Sequence, residues 1–103
     1  MRFAVLGAGL QGSACAFDLL RNPAVTAVRL ADRELDHLPA FLRPYIGTRL
    51  TLHALDAGDA NAVAKVVQGT KAVMCAMPYT LNLELARIAV AHRVHFSDLG
   101  GNT

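Results

Sequence analysis

The chain has 103 residues, which suits one domain built on one core. Apolar residues make up 53% and charged residues 17%, a balance that excludes a disordered polypeptide. A formal net charge of +2, with no Lys/Arg cluster and no Trp, excludes the usual nucleic-acid binder, and no apolar run is long enough to span a membrane.

Arg2 to Leu6 reads as a central parallel strand, because it is apolar on both faces. It opens the chain directly, so no signal peptide is expected and a cytoplasmic location is. Cys15 and Cys75 are then expected to be buried free thiols. The strand runs into Gly7, Gly9 and Gly12, spaced as G-x-G-x-x-G, and a helix is predicted from about Leu10 to Arg21. Strand, glycine turn and helix N-terminus in that order form a pyrophosphate cradle. Gly7 permits the tight turn, Gly9 lets the backbone approach the phosphates, and Gly12 lets helix and strand lie close. The unpaired first amides of the helix and its dipole favour an anion there. Asn22-Pro23 ends the helix.

The second strand is predicted from Val25 to Ala31. Asp32 follows it, twenty residues beyond Gly12. That is where an acidic residue accepts hydrogen bonds from the adenosine ribose hydroxyls. The alternative is that Asp32 caps the next helix. Arg33 is either a solvated charge or a partner for a 2′-phosphate. A carboxylate repels a 2′-phosphate, so NAD is favoured over NADP.

Glu34 to Leu42 reads as a short or distorted helix that ends before Pro44. Arg49 to Ala54 alternates apolar and polar residues, which predicts an edge strand with one wet face and His53 exposed. Asp56 is either a turn residue or a neighbour of the adenine, since loops after parallel strands face the ligand crevice. Asp59 is a good N-cap for a helix from Ala60 to Gln68, which Gly69 ends.

Ala72 to Ala76 is the fourth strand, apolar again. It is expected to lie beside the first, across the topological switch point, so that Ala76, Met77 and Pro78 border the cofactor between pyrophosphate and nicotinamide. A helix from about Leu81 to His92, capped by Thr80 or Asn82, should bury Leu81, Leu85, Ile88 and Ala89. Val94 to Ser97 is the fifth strand. Asp98, at its end, is the nearest candidate for a substrate-facing group, with a turn residue as the alternative. The sum is a doubly wound α/β (Rossmann) domain of three layers, strand order 3-2-1-4-5, with right-handed crossovers. No metal-ligand spacing is present.

Three segments together resemble the N-terminal NAD(P)-binding domain of the saccharopine dehydrogenase family, which includes lysine dehydrogenases. They are VLGAGLQG at Val5 to Gly12, LDAGD at Leu55 to Asp59, and the stretch from Ala76 to Thr103. The resemblance spans the chain and is most specific in the last segment. It implies that Gly7, Gly9, Leu10, Gln11 and Gly12 hold the pyrophosphate, and that Asp32 and Arg33 hold the ribose. Asp56 and Ala57 would border the adenine, and Ala76, Met77 and Pro78 the ribose-nicotinamide end. It further implies an NAD(P)-linked oxidoreductase acting at the C–N bond of an amino acid. Catalytic and substrate groups of the family come largely from a second domain. The family chain continues beyond the position of Thr103. The sequence is therefore expected to be the cofactor domain of a longer enzyme, a homo-oligomer when full length, and inactive alone.

Two other readings compete. One is an NAD(H)-sensing regulatory domain of the potassium channel or transporter type, in which polar and acidic residues are expected where Met77-Pro78-Tyr79 stands. The other is a Rossmann-shaped interaction domain without a ligand. The intact triplet argues against the latter, because nothing in packing alone requires Gly9.

Overall fold

The computed structural model describes residues 1–99. Five parallel strands form one sheet: β1 (Arg2–Leu6), β2 (Ala27–Asp32), β3 (Leu50–Ala54), β4 (Ala72–Cys75) and β5 (His95–Asp98). Their order is β3-β2-β1-β4-β5, as expected from the alternation of strands and helices. β1 is central, paired along Phe3↔Val28 with β2 and Phe3↔Ala72 with β4. Side chains alternate across a strand, so β1 feeds two cores. Phe3 and Val5 pack with Leu20, Val28, Leu30, Leu42 and Leu50 on one face. Ala4 and Leu6 pack with Val63, Val67, Val73, Leu85 and Ala89 on the other. The first face is covered by helix α1 (Leu10–Leu20) and a 3₁₀ segment (Ala40–Tyr45), the second by α2 (Ala60–Val67) and α3 (Asn82–Ala91).

Two arginines reach from strands to helix ends. Arg49 donates to the carbonyls of Leu20 (2.7 Å) and Asn22 (3.0 Å) at the end of α1. Arg29 donates to Val66 (2.9 Å) and Gln68 (2.7 Å) at the end of α2. A guanidinium there satisfies carbonyls that a helix cannot pair and complements its dipole. Asp59 caps α2 as its position predicts, its Oδ1 accepting from the amides of Asn61 and Ala62.

Four element readings need correction. β2 begins at Ala27, not Val25, because the Val25 amide is bonded to Asn22 in the turn past Pro23. It also includes Asp32. Glu34 to Leu42 is not a helix; the helical segment is the 3₁₀ turn Ala40–Tyr45, and Pro44 lies inside it. A short 3₁₀ run has few bonds for a missing amide to break. α3 has no side-chain cap: Leu81 occupies the N-cap position, and a 3₁₀ turn (Tyr79–Leu81) feeds the helix directly. β5 starts one residue late, at His95, because Val94 returns its amide to Ala89 (2.9 Å) to close α3. That closure holds Arg93 at φ 60°, the left-handed region. β3 is the expected edge strand, but its apolar face is buried only at Leu50; Leu52 is half-buried and Ala54 exposed. His53 is half-buried too, and its burial, helped by the Arg29 charge, lowers its pKa. Cys75 is buried and Cys15 half-buried, both free.

Candidate functional site

The expected site residues lie at the C-terminal ends of β1, β2, β3 and β4, along one edge of the sheet. Parallel strands put the loops that follow them on the same edge, and β1 and β4 straddle the point where the chain order reverses. Any ligand that spans these loops crosses that point.

The glycine turn is built from β1 outward. Gly7 donates its amide to Ala31 (2.7 Å) and has φ 106°, which L side chains rarely adopt. Gly12 lies under the turn, where a Cβ would sit 1.7 Å from the Gly7 carbonyl oxygen. Both glycines are therefore demanded by the fold. Gly9 is not. Its φ of −69° suits any residue, and a Cβ there would meet nothing within 4 Å.

The space over Gly9 opens on the start of α1. The first bond of that helix runs from Ser13 N–H to Gly9 O (2.9 Å). Among the described residues, no acceptor meets the amides of Gly9, Leu10 or Gln11, all three residues being exposed. The first turn of α1 carries no acidic side chain. The result is a bare, positively polarised helix end beside open space that a Cβ at Gly9 would enter. Ser13, which the sequence reading passed over, is fully buried and donates from Oγ to Ala8 O (3.0 Å), which secures the turn from beneath.

Asp32 belongs to this turn. One carboxylate oxygen accepts from the Ala8 amide (2.6 Å), and the other from the amides of Arg33 (2.6 Å) and Glu34 (3.4 Å). Asp32 thus joins the end of β2 to the glycine loop and does not cap a helix. The Arg33 side chain is exposed, with no partner among the described residues. The Asp32 carbonyl accepts from Leu55 (3.1 Å), which holds the next loop alongside. In that loop Asp56 makes a turn: its Oδ1 accepts from Gly58 (2.8 Å) and its carbonyl from Asp59 (2.9 Å). Ala57 is half-buried against the α2–α3 core.

Ala76 borders the glycine turn on the β4 side, its amide bonded to Leu6 O (2.8 Å) and its carbonyl close to Gly7. The Met77 side chain goes into the core, which leaves its backbone at the edge, and Pro78 is exposed. Leu10 is 82% exposed on the rim. Gln11 sends its amide group across the α1 N-terminus to the Leu99 carbonyl, so its side chain ties that helix to the exit of β5.

Sequence reasoning also missed a polar link at the β4–β5 end. Cys75 Sγ donates to Asn82 Oδ1 (3.4 Å), and Asn82 Nδ2 donates to Asp98 Oδ2 (2.7 Å). This is where the Asn82 side chain goes in place of capping α3. Asn near a helix start is read as a cap by default, and only the Cys75↔Asp98 register brings its other partners into view. Burial pushes the Cys75 thiol up, and the Asp98 charge adds to the effect; the Met77 backbone opposes it. Burial also raises the Cys15 thiol, with the Asp18 charge adding to it. Neither environment activates a thiolate. Among the described residues no three His, Cys, Asp or Glu side chains are grouped to hold a metal, and no helix is long and apolar enough to cross a membrane.

A parallel sheet with a switch point beside a glycine turn, and an acidic residue tied to that turn, defines the class: a Rossmann-type nucleotide-binding domain. Residues 3–102 match the family described as the saccharopine dehydrogenase NADP binding domain, and the chain belongs to that family. Among solved structures it is similar to saccharopine dehydrogenase (L-Glu forming) from Saccharomyces cerevisiae, at 24% identity and a TM-score of 0.75. That match covers 94% of this chain and 21% of the yeast chain. It is similar to uronate dehydrogenase from Agrobacterium tumefaciens, at 26% identity and a TM-score of 0.64, over 92% of this chain and 39% of that one. It also superposes on a short-chain dehydrogenase/reductase from Veillonella parvula in complex with NADP, at 14% identity and a TM-score of 0.76, over 94% of this chain and 46% of that one. The chain thus spans from about a fifth to just under half of these relatives. The family match is what favours the dehydrogenase cofactor domain over a channel-type sensor.

Proposed function

We propose that this chain is the cofactor domain of an NAD(P)-dependent oxidoreductase acting at the C–N bond of an amino acid. The observation that carries the cofactor assignment is the pairing of unmet amides at Gly9, Leu10 and Gln11 with a glycine that packing does not require. The pyrophosphate would accept from those amides across the open space over Gly9. Asp32 would accept from the adenosine ribose while staying anchored to Ala8 by one oxygen. Arg33, exposed and beside it, offers a cation to a 2′-phosphate, the group that distinguishes the NADP of the family's description. Asp56 and Ala57 would flank the adenine. Ala76, with the backbone of Met77 and Pro78, would line the nicotinamide end.

The bound nicotinamide supplies a hydride acceptor or donor. The chain's part is to hold it at the β1–β4 junction, with Asp98 on the neighbouring strand facing the substrate side. The catalytic groups and the amino-acid pocket would come from a second domain.

The test compares the wild type with Gly9→Val by thermal unfolding in the presence of NADH or NADPH. A dinucleotide at a hundredfold excess over its dissociation constant stabilises by about 2.7 kcal/mol. For a domain of this size that raises the melting temperature by roughly 10 °C or more. Gly9→Val should keep the melting temperature of the free protein and lose that rise. No rise for the wild type with either dinucleotide would refute the assignment.

A further inference from the structure

We infer that the Gln11 side chain is a strap across the nicotinamide end of the dinucleotide edge, in place while that edge is empty and displaced when the nicotinamide arrives. The inference rests on the cofactor reading above. Gln11 Nε2 donates to the Leu99 carbonyl, joining residues 88 positions apart, and the bond is exposed. Its place in the sheet follows from the β4–β5 ladder. Leu99 N–H donates to the Cys75 carbonyl (2.9 Å), which carries the pairing one step past the end of β5. The amide and carbonyl of one ladder residue face the same neighbouring strand, so the Leu99 carbonyl faces β4. In a continued β4 the next donor to it would be Met77 N–H. The chain turns away there, through Pro78 into the 3₁₀ turn, and the Gln11 amide takes the carbonyl instead.

Ala76 lies between Cys75 and Met77, so the Gln11 side chain crosses the sheet edge at the exit of β4. Ala76 also flanks the glycine turn, its Cβ 3.5 Å from where a Cβ at Gly12 would stand. A dinucleotide with its pyrophosphate on the Gly9, Leu10 and Gln11 amides and its nicotinamide along Ala76, Met77 and Pro78 has to cross this span. Gln11 begins the span and Leu99 ends it. A side chain and a nicotinamide ring cannot fill the same space. The side chain is the one that yields, because a single exposed hydrogen bond contributes little and its groups return to water. The adenosine end lies on the other side of Gln11, toward Asp32 and Asp56, and does not meet the strap. The contact is therefore autoinhibitory toward the nicotinamide half alone.

The test is calorimetric titration of the 103-residue chain and its Gln11→Ala variant. Each is titrated with whichever of NADH and NADPH the wild type binds more tightly. Each is also titrated with the fragment of that cofactor that lacks the nicotinamide and its ribose (ADP, or ADP bearing the 2′-phosphate). Gln11→Ala should raise the ratio of cofactor affinity to fragment affinity roughly three- to tenfold. In the labelled wild type, saturating cofactor should shift the Gln11 side-chain NH2 resonances toward those of an unbonded glutamine. A ratio that stays level or falls would overturn the strap and leave the cofactor reading standing. So would Gln11 side-chain resonances that stay in place under saturating cofactor. Failure of cofactor and fragment alike to bind the wild type would overturn the cofactor reading, and the strap with it.

Discussion

Gly9 and Gly12 are equivalent letters in a motif and opposite in what they do. A Cβ at Gly12 would strike a backbone oxygen at 1.7 Å, whereas one at Gly9 would meet open space. Gly12→Ala should therefore prevent folding or lower the melting temperature sharply, while Gly9→Ala and Gly9→Val should not; circular dichroism melts separate the two. Asp32 combines both roles. Its carboxylate holds up to three amides, so Asp32→Ala should cost about 1–3 kcal/mol of stability. Titrated well below that variant's melting temperature, NADH should lose more affinity than NADPH, because the lost group is the ribose acceptor. A larger loss for NADPH would contradict the ribose assignment. The motif spacing made Gly7, Gly12 and Asp32 legible, because each answers a geometric demand that one residue type meets. Ser13 and Gln11 were not legible in their observed roles. Their partners, the Ala8 and Leu99 carbonyls, are backbone atoms that carry no sequence signal.

At the level of elements, both ends of α2 are legible in the sequence, and the start of α3 and the end of the 3₁₀ segment are not. Asp59 capped α2 as expected, and glycine at 69, with φ 77°, follows that helix. α3 opened through a 3₁₀ turn with no cap, because Asn82 is drawn sideways to Cys75 and Asp98. Pro44 lies inside a 3₁₀ segment and does not end it, since a proline excludes α-helix more firmly than it excludes a single tight turn. The end of α3 holds the clearest reserve of stability. Arg93 takes a left-handed conformation that glycine adopts without penalty. Arg93→Gly should raise stability by about 1 kcal/mol, or roughly 4–8 °C in melting temperature. A fall would mean that the arginine side chain contributes more than its backbone strain costs.

The whole molecule follows from a few large constraints. β4, wholly apolar, and β1, apolar beyond Arg2, are interior strands, and β3, with polar residues alternating, is an edge. The alternation of strands and helices, with right-handed crossovers, then implies the order of the sheet and the edge where the loops gather. What the sequence could not carry was the division of labour within that edge: Met77 faces the core although it sits in a loop, and Asp56 is engaged in its own turn. The most direct test of the central claim is an amide chemical-shift titration of the labelled domain with NADH and NADPH. The largest changes should fall on Gly9, Leu10 and Gln11, with smaller ones at Ala8 and Arg33. Saturable binding that leaves those three amides unmoved would contradict the account.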